Sequence, residues 1–265
     1  MLKTKLLSYN IMSGCFESYE QHSRLSNRFN LLATVLKNID ADFVGLIDTF
    51  KWRESFSEKE LRKIFGYKNI NIIDMEDTRV AKNIGVTVMT NVDVREFNIV
   101  RAFNRNCIET RLENCYVYTV YLDDVSEDTR LSEIQSLLEQ IKYPALIHGD
   151  LNTFTREDLP KMESREKIFM HKNPKLSLKL KSVVEDMKRG EVIDLIKSKG
   201  FKDGFDNYSP TMPTRLFPAQ VTKPFIRVDY MLYSKGLKVE SPQVYQGDLY
   251  DKVSDHFPIS LDLVI

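Results

Sequence analysis

Short strand-like segments recur along almost the whole chain, and this pattern limits the fold more than any other feature of the sequence. In residues 257–264, Phe257, Ile259, Leu261 and Leu263 occupy every second position, which predicts a strand with one buried face. Further segments with strand character are 6–11, 43–47, 70–73, 85–89, 94–100, 107–112, 116–122, 145–147 and 226–233. A chain with this many strands has to build its core around β-sheets.

Helical patterns separate these strands in a few places. Apolar residues at helical spacing predict one helix over residues 29–39, with Ser26 as its candidate N-cap, and another over residues 129–141. A short helix is expected over residues 59–65. Many strands with a few interspersed helices favour two stacked sheets with helices outside, and the glycine-rich loop of nucleotide-binding folds is missing from the sequence.

The composition is that of an ordinary globular protein, with 42% hydrophobic and 29% charged residues. No apolar run approaches the ~20 residues that span a bilayer. The N-terminal residues lack the apolar core and cleavage site of a signal peptide. We therefore expect a cytoplasmic protein without a membrane span.

The cysteines favour neither a disulfide framework nor a zinc site. Cys15, Cys107 and Cys115 are odd in number and lack the spacing of metal ligands. We expect all three to be reduced thiols.

The chain is expected to form one domain over residues 1–265, because no linker rich in Pro, Gly and Ser divides it. Within this domain, a basic and mostly helical insertion is predicted around residues 156–199. The insertion is either a solvated helical face or a surface that attracts phosphates to the site. Lys plus Arg and Asp plus Glu both number 38, and this balance argues mildly against a long DNA footprint.

Polar residues end or interrupt several of the apolar strands. They are Asn10, Asp48, Tyr121, His148, Asp150, Asn152, Asp229, Asp255 and His256. Asp and Asn are unfavourable in strands, and burying them without partners costs free energy. Because the simplest partners are one another, we expect these side chains to converge in a single pocket.

Several carboxylates and carboxamides beside one histidine suit a hard divalent cation. Mg²⁺ prefers oxygen ligands and usually takes one or two protein carboxylates together with a substrate phosphate. The predicted chemistry is phosphate ester hydrolysis, in which the cation stabilises charge on the phosphoryl oxygens while an acid or a histidine positions a water molecule. Taken singly, each residue is also compatible with a plain turn, and GDLN at 149–152 especially resembles one.

Seven short motifs run along the chain in the order known from one superfamily. They are SYN at 8–10, GLID at 45–48, GVTVMT at 85–90, VYL at 120–122, GDLN at 149–152, RVDYML at 227–232 and SDHFP at 254–258. On these motifs the chain resembles the endonuclease/exonuclease/phosphatase superfamily, the metal-dependent phosphohydrolases related to exonuclease III and DNase I. The resemblance implies an α+β fold, the DNase I-like four-layer α/β/β/α sandwich of two mixed β-sheets with outer helices.

The resemblance also implies roles for the polar residues. Asn10 and Asp48 are expected to hold a Mg²⁺ or Mn²⁺ ion, with Asp255 as a further metal contact. Asp150 and Asn152 are expected to contact the scissile phosphate and the attacking water.

The roles of the remaining catalytic candidates also follow from the resemblance. His256 would act on the phosphate or as general base, with Asp229 hydrogen-bonded to it to fix its tautomer. Either Asp150 or His256 takes the proton of the water, and the resemblance leaves this choice open. Tyr121 is similar to the tyrosine of the exonuclease III branch, whose hydroxyl contacts the phosphate, whereas many other relatives have a histidine at this place.

Asp48 departs from the family pattern, which usually has Glu at this place. Because Asp is one methylene shorter, the metal must shift, bind through water or bind weakly. Two functions are therefore compatible with the sequence. The leading one is a metal-dependent phosphoesterase. The alternative, which rests on Asp48, is a catalytically degenerate phosphate- or nucleic-acid-binding module of the same fold.

A phosphate ester is the expected partner: a nucleic acid, a nucleotide or a small phosphorylated molecule. No protein partner is evident in the sequence. Asp123 and Asp124 favour a compact substrate, whereas the basic insertion favours nucleic acid. Trp52, Asn152 and Tyr121 are expected to bind the substrate. Trp52 and Phe50 follow Asp48 and would do so by stacking on a base, although packing in the core is the favoured role for either residue alone.

Overall fold

A computed structural model describes residues 3–17, 26–77, 82–102, 104–205, 207–217 and 223–264. This part of the chain forms two mixed sheets of six strands each, packed face to face with helices outside. The strands are β1 (Lys3–Asn10), β2 (Phe43–Ile47), β3 (Asn69–Asp77), β4 (Lys82–Thr90), β5 (Glu96–Ala102), β6 (Arg105–Arg111), β7 (Tyr116–Tyr121), β8 (Ala145–Asp150), β9 (Lys202–Asp203), β10 (Asp229–Tyr233), β11 (Lys238–Val244) and β12 (Ile259–Val264). The helices are α1 (Asn27–Ile39), α2 (Trp52–Ser55), α3 (Glu58–Phe65), α4 (Glu127–Leu138), α5 (Leu159–Lys172), α6 (Pro174–Met187) and α7 (Glu191–Ser198). The predicted four-layer sandwich is therefore confirmed.

Each sheet contains one parallel pair of strands near its middle. The first sheet has the order β11-β12-β1-β2-β4-β3, and the second has the order β5-β6-β7-β8-β10-β9. β1 is parallel to β2, and β7 is parallel to β8. Helix α1 connects the first pair and α4 connects the second. Because a helical crossover brings both strands of a pair to the same sheet edge, polar residues at their carboxyl ends become neighbours.

Helices α1, α3 and α4 begin at serine residues whose side chains accept a hydrogen bond from a backbone amide of the first turn. Ser26 caps α1 as predicted, and its Oγ accepts a hydrogen bond from the backbone N–H of Arg28 at 3.2 Å. Ser126 caps α4 in the same way, so this helix starts at Glu127, two residues before the predicted range. It ends at Leu138 and not at the predicted residue 141. None of the described helices is both long and apolar enough to cross a membrane.

Apolar side chains from both sheets fill the layer between them. His148 of β8 lies within this layer, with its ring edge-on to Phe43 at 5.9 Å between centroids. Gly45 of β2 leaves the space for the imidazole, because a Cβ at this position would lie 2.1 Å from Cε1 of His148. The apolar members of the layer include Leu6, Phe43, Val86, Val88, Ile108, Val117, Leu146, Met231 and Leu261.

The basic segment 156–199 forms α5, α6 and α7. Apolar residues of α5 and α6, such as Met162 and Val184, pack against Phe225 and Val228. The two helices therefore cover the chain segment that leads into β10. The assignment of these helices as an insertion within one domain over residues 1–265 stays a prediction.

Most strand boundaries differ by a few residues from the predicted ones, and the differences in β8 and β10 affect candidate site residues. β8 continues through His148 to Asp150, because β7 and β10 pair with it on both sides over that length. β10 begins only at Asp229, since the preceding residues approach Met212 in an isolated bridge at Ile226. His148 and Asp150 thus lie inside a central strand rather than after it, which makes their side-chain positions rigid.

Candidate active site

Asn10 and Asp150 link the two sheets at the edge where β1 and β8 end. The side-chain amide Nδ2 of Asn10 donates a hydrogen bond to Oδ2 of Asp150 at 2.8 Å, and both residues are buried. Asn10 closes a strand of the first sheet and Asp150 closes a strand of the second. The carboxyl ends of the two parallel pairs therefore meet at one edge of the sandwich.

Asp150 is held from its other side by the turn that follows β8. Its Oδ1 accepts a hydrogen bond from the backbone N–H of Asn152 at 3.0 Å. Asn152 has a left-handed backbone with φ of 49°, a conformation that Asn tolerates better than most residues. Its own Nδ2 donates to the carbonyl of Leu122 at 2.9 Å, which ties the end of β7 to the same turn.

His256 and Asp229 form a buried pair beside Asp150. Nδ1 of His256 lies 2.8 Å from Oδ2 of Asp229. Nε2 of the same ring lies 3.9 Å from Oδ2 of Asp150 and 3.9 Å from Oδ1 of Asp255. Asp229 stands opposite Asp150 in the β8–β10 register, so the pairing of these strands fixes the distance between the two carboxylates.

The charges of this cluster change the proton affinities of its members. Burial lowers the pKa of His256, but the carboxylates of Asp229, Asp255 and Asp150 outweigh burial and raise this pKa to about 10. Burial raises the pKa of Asp150 to about 7, helped by the charge of Asp229 and opposed by His256 and by the hydrogen bonds from Asn10 and Asn152. At neutral pH the arrangement favours an imidazolium next to a carboxyl group that can accept or release a proton.

Asp48 directly follows β2, next to the end of β1. It is buried, and its backbone is left-handed with φ of 57°. Oδ2 of Asp48 accepts a hydrogen bond from the backbone N–H of Ser13 at 2.7 Å. Oδ1 of Asn10 accepts one from the backbone N–H of Met12 at 3.0 Å. Two consecutive amides thus orient the two residues predicted to hold the metal.

Ser254 connects the histidine segment to β1. Its Oγ donates to the backbone carbonyl of Asn10 at 2.7 Å and accepts from the backbone N–H of His256 at 3.2 Å. Oδ1 of Asp255 lies 3.3 Å from the same hydroxyl. The SDH motif is therefore held against the end of β1, with Asp255 beside the cluster.

Tyr121 lies at the end of β7, half-buried near Asp48 and Asp150. Burial raises the pKa of its hydroxyl well above the ordinary value, and the charges of Asp48 and Asp150 add to this effect while Arg105 opposes it. The hydroxyl therefore stays protonated and can donate a hydrogen bond. The Arg105 guanidinium lies 4.6 Å from the centroid of the Tyr121 ring and donates to the carbonyl of Leu122 at 2.6 Å.

Arg105 and Arg28 are two buried residues near the site that sequence reasoning missed. An arginine at a strand or helix start is usually exposed, so neither position carried a signal of burial. Arg28 donates to the backbone carbonyls of Ile11 and Met12 after β1 and to that of Val253 before β12. These contacts involve backbone atoms, which no residue pattern identifies.

The predicted role of Trp52 in stacking on a base is wrong. Its side chain is 0% exposed, and its indole N–H donates to the carbonyl of Gly14 at 2.9 Å. The ring stacks on Phe65 and packs edge-on to Phe29 and Phe56. Trp52 therefore belongs to the hydrophobic core behind β2. This is the packing role that the sequence also allows for it.

The oxygen donors at this edge of the sandwich fit a hard divalent cation. Ligand atoms of Asp150, Asp229 and His256 all lie within 4.8 Å of one another. Within the described residues, Oδ1 of Asp229 is buried and has no hydrogen-bond partner. A buried carboxylate oxygen without a partner is costly, and several carboxylates near an amide oxygen are typical ligands of Mg²⁺ or Mn²⁺.

Comparisons with solved structures match the whole fold at low identity. The 3' phosphatase NExo from Neisseria, bound to product DNA hairpin, has a TM-score of 0.69 at 13% identity, with 97% of this chain and 98% of that chain covered. ANGEL2, a 2',3'-cyclic phosphatase, has a TM-score of 0.66 at 15% identity, covering 99% and 95%. A mannosyl-6-phosphatase from Bacteroides thetaiotaomicron has a TM-score of 0.63 at 15% identity, covering 99% and 100%.

At these identities the structural matches establish the fold alone. A comparison with curated proteins found no match. The sequence profile described as Endonuclease/Exonuclease/phosphatase family matches residues 7–256, a range that includes every polar residue of the cluster. The chain therefore belongs to the Endonuclease/Exonuclease/phosphatase family.

Proposed function

We propose that this protein hydrolyses phosphate esters with the help of a bound Mg²⁺ or Mn²⁺ ion, by in-line attack of an activated water. The observation that carries the proposal is the buried contact of Asn10, Asp150, Asp229 and His256 at the edge where both sheets end. Membership of the family supports phosphoester chemistry. Neighbours described as 3' phosphatase and 2',3'-cyclic phosphatase support the same class.

The proposed metal ligands are Asn10 and Asp48, with Asp255 as a further contact. They lie beside the group of Asp150, Asp229 and His256, whose protonated imidazole has no free nitrogen lone pair for a metal. A divalent cation bound to Asn10 and Asp48 would stabilise negative charge on the phosphoryl oxygens and on the leaving group. The amides of Met12 and Ser13 hold one oxygen of Asn10 and one of Asp48. These side chains are therefore oriented by the fold before any ligand binds, which lowers the cost of binding.

His256 is proposed to bind the phosphate as an imidazolium. Asp229 accepts the Nδ1 proton at 2.8 Å, so Nε2–H is the donor that faces Asp150 and Asp255. This orientation resembles the logic of triads in which a carboxylate fixes the histidine tautomer. Nearby carboxylates raise the pKa of His256 and keep its imidazole protonated. His256 is therefore better suited to donate a hydrogen bond to the phosphate than to act as a general base.

Asp150 is proposed to take the proton of the attacking water. Its hydrogen bonds from Asn10 and from the Asn152 amide hold the carboxylate in place. A carboxyl group whose pKa lies near neutrality combines a useful fraction of the basic form with adequate proton affinity. The Tyr121 hydroxyl is proposed to donate to the phosphate from the opposite side of the cluster.

The substrate is proposed to be a compact phosphate ester, such as a nucleotide or a short nucleic acid end. The formal net charge is zero, and basic side chains in this segment are already paired, including Lys167 of α5 with Glu163 and Lys188, directly after α6, with Glu166. Fewer basic groups are then left to contact the backbone of a long duplex.

The rival function is a degenerate binding module. The shorter Asp48, with one oxygen already engaged by the Ser13 amide, is the feature that favours it. Such a module would bind phosphate groups through His256 and Tyr121 without turning substrate over.

Two measurements separate these functions. Mn²⁺ should raise the Tm of the wild type but not that of Asp48→Asn, because only a ligand that binds the folded state stabilises it. Hydrolysis of bis(p-nitrophenyl) phosphate and p-nitrophenyl phosphate with Mn²⁺ should exceed that of Asp150→Asn by at least about 100-fold. A wild type no faster than Asp150→Asn on either ester would favour the binding module.

A further inference from the structure

Arg28 lies behind the candidate metal ligands, in the first turn of α1. Its side chain is buried, with a residue exposure of 7%. The guanidinium donates hydrogen bonds to the backbone carbonyls of Ile11, Met12, Phe16 and Val253. A buried arginine whose donors all end on backbone carbonyls of two separate loops is well suited to fix the conformation of both.

The contacts of Arg28 continue through two peptide groups to the site. The carbonyl of Ile11 accepts from Nη2 of Arg28 at 2.8 Å, and the N–H of the same peptide group belongs to Met12 and donates to Asn10 at 3.0 Å. The carbonyl of Met12 also accepts from Nη2 at 2.8 Å. The N–H of that second peptide group belongs to Ser13 and donates to Asp48 at 2.7 Å.

Each of these peptide groups is therefore hydrogen-bonded at both ends, with the cation of Arg28 on the carbonyl side. Hydrogen bonds in such chains polarise one another, so a cation on the carbonyl strengthens the N–H as a donor. The backbone here is unusual, since φ is 46° at Met12 and 53° at Ser13. Left-handed backbone in non-glycine residues persists only where the surroundings hold it, and Arg28 supplies that restraint.

A second branch of the same guanidinium reaches the histidine segment. Nε of Arg28 donates to the carbonyl of Val253 at 2.8 Å. The next residue, Ser254, donates to the carbonyl of Asn10 and accepts from the amide of His256. Arg28 thus joins the loop after β1 to the loop before β12.

We propose that Arg28 is a positioning residue for the divalent-cation site, acting through the Met12 and Ser13 amides on the oxygens of Asn10 and Asp48. This inference rests on the proposed function, because it assigns Arg28 to the metal site of that function. It also explains how the short Asp48 can serve in place of the usual Glu. The carboxylate is held in one orientation instead of reaching further on a longer side chain.

The test is Mn²⁺ binding, measured by electron paramagnetic resonance of the free ion, with no substrate present. Arg28→Lys keeps a positive charge but cannot bond both carbonyls and Val253 together, and it should raise the Kd for Mn²⁺ by about 10- to 100-fold. The matched control is Arg130→Lys. Arg130 is also buried, but it bonds Glu127, Asp186 and the carbonyl of Asp123, so its variant should keep the wild-type Kd.

The outcomes distinguish this inference from the proposed function. An Arg28→Lys protein that is folded by circular dichroism and binds Mn²⁺ within twofold of wild type would overturn the inference while leaving the proposed function standing. An equal loss of affinity in Arg130→Lys would also overturn it, because the effect would then follow from general destabilisation. Absence of Mn²⁺ binding in the wild type would overturn both.

A second measurement needs no variant and remains decisive if Arg28→Lys does not fold. In the wild type, a Mg²⁺ titration followed by ¹⁵N NMR should shift the backbone amides of Met12 and Ser13 together with the Nε–H of Arg28, all with one Kd. Shifts of the two amides without any change at Arg28 Nε would contradict the proposed coupling.

Discussion

Asp229 is the residue whose charge decides the protonation of His256. It supplies the largest effect that raises the pKa of the imidazole, through both its charge and its hydrogen bond at 2.8 Å. Asp255 and Asp150 contribute less. A neutral replacement at position 229 should therefore change the titration of His256 more than it changes the fold.

Asp229→Asn should lower the kcat for phosphate ester hydrolysis by about 100- to 10,000-fold. The pKa of His256 would fall because one negative charge is removed, so the high-pH limb of the kcat profile should move to lower pH. The pH–rate profile of the variant measures both effects. A control, Asp203→Asn, removes a carboxylate that pairs with Arg227 outside the cluster and should leave the limb in place. Unchanged kcat and an unshifted limb in Asp229→Asn would show that the pair has no role in the reaction.

The sequence identifies the polar side chains of the site but not the backbone groups that orient them. Polar residues are unusual at strand ends, and this pattern identifies Asn10, Asp150, Asp229 and His256, which the structure brings together. The amides of Met12 and Ser13 could not be identified, since every non-proline residue has an N–H. The sequence leaves both roles of Trp52 open, because a tryptophan near a site has the same pattern whether it faces solvent or core.

Between the two sheets, Gly45 of β2 lies so close to the His148 ring of β8 that no larger residue fits at position 45. A Cβ on residue 45 would lie 2.1 Å from Cε1 and 2.9 Å from Nε2 of His148. It would also lie 2.9 Å from Cγ2 of Thr119. The imidazole is fixed by a 2.8 Å contact between Nε2 and the Thr119 hydroxyl, so it cannot move away without losing this hydrogen bond.

Gly45→Ala should lower the free energy of unfolding by about 1–3 kcal/mol, the usual cost of overpacking a core. The same substitution made in a His148→Ala background should cost much less, because the clashing ring is gone. Urea unfolding of the four proteins in this cycle measures the difference. Equal costs in both backgrounds would mean that the sheets are not in contact at this point.

Most strands were predictable because apolar residues alternate or run continuously in them. β11 was not, since its sequence KVESPQV contains charged residues and a proline. It is an edge strand, and its pairing with β12 shifts register between Glu240 and Gln243. Lysine, proline and bulges are common on edge strands because they oppose pairing with other chains. Such a strand is recognisable only from its partner, β12.

For the whole molecule, pH should act on stability through two buried histidines in opposite directions. Burial lowers the pKa of His148 to about 3, whereas the neighbouring carboxylates raise that of His256 to about 10. In the unfolded chain both titrate near the ordinary histidine pKa of about 6.5. The contribution of His256 is fully present below that value and is lost as pH rises towards 10.

His148 should make the folded state less stable as the pH falls from about 6.5 towards 3. Over this range the unfolded chain binds a proton at His148 that the folded state excludes, which amounts to about 1.4 kcal/mol per pH unit. The dependence of urea unfolding on pH between 4 and 6 should therefore be less steep in His148→Gln than in the wild type. Equal slopes in the two proteins would show that His148 is protonated in the folded state.

Segments far apart in the sequence should together form one cation and phosphate site at the edge of the sandwich. Diffraction from crystals soaked with Mn²⁺ and inorganic phosphate, recorded at the manganese absorption edge, would locate both ligands. We expect an anomalous peak from a manganese ion bound to Asn10 and Asp48, with a phosphate between the ion and Nε2 of His256. An empty pocket, or manganese and phosphate bound only elsewhere on the surface, would contradict it.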